Sequence, residues 1–284
     1  MPELHAIEPL HLEGLADYHI HCDYSVDAVG SVDDYCEAAL RRGLAEICFT
    51  THYDSNPNSE GEPEYIVVKG QKLPTCPESL ALYVDDVRRA AEKYLVLGLS
   101  VKLGLEFSWY ENCEEHVQSL TERYDFDHML CGIHELDNIC FCCHTSFERC
   151  FTRYNAEETA RLYSDQVVRA ARSRLFDAIA HLDYVRKYGA KYYGPPLDLA
   201  LDRYVPEVLA ALKHTGTALE INTAGLRQNI GSYYPKMETI NAAMREDVEV
   251  SYLGSDAHQP DQVGYDFDAA GVLIPGPIGG CESL

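Results

Sequence analysis

Leu15-Ala16-Asp17-Tyr18-His19-Ile20-His21 reads as a short strand that ends in two histidines one residue apart. Alternate residues of a strand face the same side, so the two imidazoles converge while Ile20 turns toward a core. Further apolar runs repeat the plan at Glu46–Thr50, Val101–Phe107, His128–His134, Asp177–His181, Thr217–Asn222 and Val250–Gly254. Helical patterns lie between them, beginning at residues 31, 78, 156, 202 and 235. Strands alternating with helices imply βαβ units and a parallel sheet, and seven such strands close into a barrel more readily than they spread. Ser31, with Asp34 in the opening turn, is suited to cap the first helix, and Gly43 and Gly216 stand where helices end. No repeat or Pro/Gly/Ser-rich linker divides the sequence. One domain over 1–284 is expected, its motif-bearing core at about 15–270. Polar or Cys-rich stretches at 54–77 and 136–155 interrupt the alternation. Both leave the C-terminal ends of strands, the side on which barrel enzymes build their sites.

Composition narrows the function. Against 23 Lys and Arg stand 46 Asp and Glu, a formal charge of −23 on 284 residues. Such a chain repels phosphate backbones and anionic lipid, which argues against nucleic-acid and membrane-surface partners. Hydrophobic residues make up 46%, enough for a core rather than a disordered chain. The N-terminus lacks a basic segment followed by an apolar one, and no run approaches a membrane span. The expectation is a cytoplasmic protein whose eleven cysteines are free thiols, several acting as small buried hydrophobes. The Cys-rich run CFCCH at 140–144 lacks a second C-x-x-C and reads as strand or loop packing, with metal or redox activity as the lesser alternative. Nucleotide loops, dinucleotide fingerprints and the G-x-S-x-G elbow are absent from the sequence.

Six of the twelve histidines, His19, His21, His52, His134, His181 and His258, fall at or just beyond the end of an expected strand. Glu106 and Asp256 share that level, and Asp27 follows His21 by six residues. A lone histidine at a strand end is ordinarily a hydrogen-bonded loop residue. So many hard-to-bury groups around one ring instead call for a shared partner that coordinates them. Imidazoles mixed with carboxylates suit Zn²⁺, Mn²⁺ or Fe²⁺ in a catalytic setting.

Together DYHIH, the Asp six residues later, FTTH, GLEF, GIH, AHLDY and GSDAH resemble the PHP (polymerase and histidinol phosphatase) superfamily. Within it, AHLDYVRKYG, ALEINTAGLR and YLGSDAHQPDQVGYDF are most similar to the histidinol-phosphate phosphatase branch. The resemblance implies a distorted (β/α)₇ barrel with its site at the C-terminal strand ends. It also implies three divalent transition-metal ions, of Zn, Fe or Mn. The first would be held by His19, His21, Glu106 and Asp256, and the second by Glu106, His134 and His181. Asp27, His52 and His258 would hold the third. Nine ligands exceed the roughly four to six positions of one ion, in keeping with that count. The implied reaction is hydrolysis of L-histidinol phosphate to L-histidinol and phosphate, a step of histidine biosynthesis. Another small phosphate ester or a nucleotide is the alternative substrate, and a non-catalytic metal-binding module is a third reading. Forked or cationic phosphate contacts are expected from Arg186, Arg227 and Lys187. Asp256 or His258 would protonate the leaving oxygen, and Glu220 and Asp183 would form an acidic wall for the substrate's ammonium and imidazole. Thr51 stands where the family usually carries an acidic residue before the histidine.

Overall fold

A computed structural model describes residue 12 and residues 14–61, 65–228 and 230–274, and in it the seven apolar runs become one ladder of parallel strands. In chain order the strands are β1 (Ala16–Ile20), β2 (Glu46–Phe49), β3 (His52–Tyr53), β4 (Tyr65–Val68), β5 (Gln71–Pro74) and β6 (Ser100–Ser108). Next come β7 (His128–Gly132), β8 (Glu135–Leu136), β9 (Ile139–Cys140), β10 (Ala178–Ile179), β11 (Ala218–Asn222) and β12 (Tyr252–Gly254). The ladder runs β1-β2-β6-β7-β10-β11-β12, with β3 beside β6. A parallel bridge between Ile20 and Ala257 brings its two ends together, so the ladder nearly closes. β3 continues β2 after a break at Thr50 and Thr51, and its register sets His52 opposite Glu106.

The helices are α1 (Val32–Arg42), α2 (Ala81–Leu95), α3 (Glu114–Arg123), α4 (Phe147–Phe151) and α5 (Ala156–Ser173). They continue with α6 (Arg186–Tyr193), α7 (Pro195–Thr215), α8 (Ala224–Arg227), α9 (Met237–Arg245) and α10 (Phe267–Ala270). Ser31 and Asp34 form a reciprocal capping box on α1, and Gly43 closes it in the left-handed region at φ 76°. Gly216 ends α7 in the same way. The sequence reading starts α7 near residue 202, whereas the helix begins at Pro195. Pro195 and Pro196 look like a break, yet proline fits a first turn because its missing N–H would be unpaired there anyway. α6 was not expected. Gly189 in its middle permits close packing, since a Cβ there would lie 2.6 Å from Leu197 Cδ2.

The two interruptions are also structured. Residues 54–77 contain the antiparallel hairpin β4–β5, and 136–155 contain most of the hairpin β8–β9 together with α4. Large side chains including Phe49, Phe107, Tyr35 and Tyr83 fill the core, each burial contributing about 1.5–3 kcal/mol. Tyr83 donates its hydroxyl to the carbonyls of Phe49 and Gly104, each at 2.8 Å, and so ties β2 to β6. Most cysteines are buried free thiols as expected, but Cys140 and Cys143 form a disulfide, which corrects the expectation that all are free.

Candidate metal centre

Strand register gathers the expected residues at one rim. Glu106, at the C-terminal end of β6, is fully buried and surrounded by five imidazoles. Its Oε2 lies 2.8 Å from His52 Nδ1, 3.4 Å from His19 Nε2 and 3.5 Å from His21 Nε2. Its Oε1 lies 2.8 Å from His181 Nε2 and 3.3 Å from His134 Nε2. Across the rim, Asp256 Oδ1 is 3.3 Å from His21 Nε2, 3.6 Å from His19 Nε2 and 3.4 Å from His258 Nδ1. Asp27 completes the ring on the open side, 3.4 Å from His258 Nε2 and 3.8 Å from His52 Nε2. All nine side chains foreseen as ligands therefore meet.

Several neighbours hold the imidazoles in place. Glu220 Oε1 lies 2.7 Å from His19 Nδ1, and its Oε2 accepts the backbone N–H of His181 at 2.6 Å. A Cβ at Gly254 would stand 1.7 Å from Glu220 Oε1, so only glycine leaves room for this carboxylate. Ser25 Oγ is 3.3 Å from His21 Nδ1 and accepts the N–H of His52 at 3.1 Å. Ser108 Oγ is 2.6 Å from His134 Nδ1, and Asp54 Oδ1 is 3.6 Å from the same nitrogen. Ser25, Ser108 and Asp54 were missed by sequence reasoning. Ser108 and Asp54 follow Glu106 and His52 by two, so the same-face rule for strands contained the signal.

The electrostatics are those of a cation site. Burial favours neutral Glu106, yet the imidazoles of His19, His52 and His134 hold its carboxyl well below the usual range. Asp256 is likewise kept ionised against burial, chiefly by His19 and His21. Burial opposes charge on His52 and His134, but Glu106 lifts both to about 10. Burial, with His52 and His258 beside it, pushes His21 down to about 3. His19 Nε2, His21 Nε2, His52 Nδ1 and Glu106 Oε2 are buried without an aligned hydrogen bond, although the last two stand 2.8 Å apart. An unpaired buried polar atom costs about 1–3 kcal/mol, so four around one point are accounted for by a ligand that binds them all. The donor atoms of His19, His21 and Asp256 lie within 4.8 Å of one another, as do those of His19, Glu106 and His181. So do those of His52, Glu106 and His134, and of His21, His52 and His258. Imidazole and carboxylate donors at this spacing fit divalent transition-metal ions.

The cluster opens into a cleft of about 440 Å³. Lys187 and Arg227 line one part of it, and Asp54, Asn56, Trp109 and Glu135 another. Arg227 donates to the carbonyls of Ser255 and Asp256 at 2.6 and 3.1 Å, while its Nη1 has no partner. Lys187 Nζ donates to the Tyr184 hydroxyl at 2.8 Å. Three expectations need correction. Arg186 is 8% exposed and does not line the cleft; it donates to Asp198 at 2.9 Å and Ser232 at 3.1 Å, and lies 3.6 Å from Asp183. Asp183 sits with it behind the wall, accepting the N–H of Lys236 at 3.1 Å. Glu220 is 1% exposed and lies beneath His19 rather than on a substrate-facing wall.

A nearly closed parallel barrel with an imidazole–carboxylate rim defines a class of α/β proteins with a candidate metal site at the strand ends. The PHP domain matches residues 17–224, and the chain belongs to that family. It is 32% identical over 264 residues to a Deinococcus radiodurans protein named probable histidinol-phosphatase, covering 90% of this chain and 91% of that one. It is 25% identical over 270 residues to the histidinol-phosphatase of Bacillus subtilis, covering 89% and 97%. The fold is similar to that of a Lactococcus lactis histidinol phosphate phosphatase solved with zinc, L-histidinol and phosphate. That match has a TM-score of 0.70 at 22% identity and covers 91% of this chain and 92% of the other. Among the described residues, no helix is long and apolar enough to cross a membrane.

Proposed function

We propose that the chain is a metal-dependent phosphomonoesterase that hydrolyses L-histidinol phosphate to L-histidinol and phosphate. The observation that carries this reading is the ring of unpartnered nitrogen and oxygen atoms around Glu106, opening into a cleft with Lys187 and Arg227 on its wall. Relatives named for the same activity over nine-tenths of the chain support it. A cleft of about 440 Å³ suits a small molecule, within the ~300–1,000 Å³ of ordinary ligand sites. The acidic chain as a whole disfavours a polyanion.

In this reading His19, His21, Glu106 and Asp256 would hold one divalent ion, and Glu106, His134 and His181 a second. Asp27, His52 and His258 would hold a third. When bound, such ions withdraw charge from phosphoryl oxygens and make water nucleophilic near neutral pH. The remaining work belongs to the chain. Glu220, Ser25 and Ser108 orient the rings of His19, His21 and His134, as outer partners of ligating histidines do. Arg227 offers its unpartnered Nη1 to a phosphate oxygen, and Lys187 adds a second positive charge. Asp54 and Glu135 give the cleft an acidic side for the ammonium and imidazole of the substrate. Asp256 and His258 both belong to the cluster and line the cleft, which makes them candidates for proton transfer to the leaving oxygen. The test is phosphate release from histidinol phosphate, compared with other phosphomonoesters and with a bis-p-nitrophenyl diester. A preference for the diester would overturn the proposal.

A further inference from the structure

Three cysteines after His134 have no part in the hydrolytic cluster, and they differ from most thiols of the chain. Cys22, Cys36, Cys48, Cys113, Cys131 and Cys150 are buried, whereas Cys143 is exposed and Cys140 and Cys142 are half-buried. All three of the latter line the cleft beside His134, Tyr184 and Lys187. The backbone explains why they meet. β8 and β9 pair across a tight turn in which Asp137 and Asn138 both adopt left-handed backbone, φ 47° and 63°, as a two-residue hairpin turn requires. The next turn folds back through Cys143 O, which accepts the N–H groups of Ser146 at 3.1 Å and Phe147 at 3.0 Å. Ser146 Oγ also donates to Cys140 O at 2.8 Å. The Cα atoms of Cys140 and Cys143 thus stand 6.0 Å apart, inside the ~4.4–6.8 Å that a disulfide spans. Cys142 Sγ, 3.5 Å from Cys140 Sγ, directs its own thiol to His134 O at 3.8 Å.

We propose that this hairpin is a thiol-modification site on the cleft wall, at which Cys140 and Cys143 are reversibly oxidised by a small-molecule disulfide. Exposure makes the Cys143 thiolate the attacking group. Its sulfur bonds to one sulfur of the reagent, the reagent's S–S bond breaks, and the departing thiolate takes a proton from solvent. Cys140 then releases its proton to solvent and attacks Cys143 Sγ. The internal S–S bond forms and a second reagent thiolate leaves. The chain loses two electrons and two protons, and the reagent gains both as two thiols. Excess thiol reverses the sequence. Phe141 N–H and the Cys142 thiol both donate to His134 O, at 3.1 and 3.8 Å, so the hairpin grips the backbone of a cleft-lining residue. The state of the pair is therefore transmitted to the wall that faces Lys187.

The experiment equilibrates metal-loaded protein in oxidised and then in reduced glutathione, blocks free thiols with iodoacetamide, and weighs the peptide carrying residues 140–143. The expected result is a Cys140–Cys143 link, two hydrogens lighter and unalkylated, in the oxidised buffer. Both residues should be alkylated in the reduced buffer, and Cys143→Ser should abolish the link. The KM for phosphate release should differ severalfold between buffers in the wild type and not in Cys143→Ser. Alkylation of both residues in oxidised buffer, or a link to Cys142, would overturn the pairing. So would thiols shielded in the reduced buffer until a chelator releases a thiophilic cation, which would make the hairpin a metal site. An intact link with an unchanged KM would overturn the coupling to the cleft. Peptide masses do not depend on the reaction catalysed, so a failed phosphatase assay is distinguishable from a failed thiol site.

Discussion

The deep ring and the outer wall of the cleft are built by different means. His19 and Glu106 lie within parallel strands, and His21 and Asp256 lie just past strand ends, where register fixes their depth and direction. The wall is drawn from the loop after β3, the β8–β9 hairpin, the start of α6 and the end of α8. Strands impose a shared level on chemistry that must converge, while loops leave the substrate-facing side free to vary. Ligation should therefore be separable from substrate recognition.

The hardest blow to that separation falls on Glu106, the carboxylate common to five imidazoles. Glu106→Gln should cut metal content and lower kcat/KM by more than ~100-fold, beyond what loss of an outer partner costs. Full metal content in this variant, measured by elemental analysis, would show that the ring does not centre on Glu106. Next is Glu220→Gln, which weakens the support of His19 without removing a ligand. Metal affinity should fall by ~10–100-fold, read by titration with a chelating indicator. Arg227→Ala probes the wall. Losing one charge-assisted contact worth about 1.5–3 kcal/mol should reduce kcat/KM by ~10–100-fold while metal content stays at the wild-type value. Loss of metal there would erase the distinction between ring and wall.

Arg186→Ala sharpens the same contrast from outside the cleft. It should leave the KM for the phosphate ester nearly unchanged. Chemical denaturation should instead reveal a loss of about 3 kcal/mol, because Asp183 stays buried without its cation. The smallest effect lies at the opposite end of the barrel. His128 starts β7 and packs against the rings of Tyr18 and Tyr252, and burial lowers its pKa to about 4. The unfolded imidazole takes up a proton near 6.5. Stability from keeping His128 neutral is thus complete above about 6.5 and is lost as pH falls toward 4. In His128→Gln the unfolding free energy should fall less steeply across that window than in the wild type.

The ring was legible in the sequence because its signal is geometric. A period of two carries His19 and His21 to one side, and each strand end repeats the level. Depth was less legible. Glu220 shares its face with Asn222, and both lie against His19 rather than in the cleft. Arg186 was placed ahead of Lys187 as a phosphate contact, yet adjacent residues on a helix diverge by about 100°. α6 therefore turns Arg186 toward Asp198 and Lys187 toward the cleft. Asp54 hid in what reads as a polar insertion, although β3 extends the strand far enough to bring it to His134. The Cys140–Cys143 pair depends on two consecutive turns, which strand periodicity does not encode.

The central claim is that the ring around Glu106 binds metal ions that make the cleft a histidinol phosphate phosphatase. Its most direct measurement is phosphate release from L-histidinol phosphate by the purified chain, before chelation, after it, and after divalent metal is restored. The account predicts turnover that disappears with the metal and returns with it. Turnover that survives complete removal of metal, or metal-loaded protein that releases no phosphate from this ester, would contradict it.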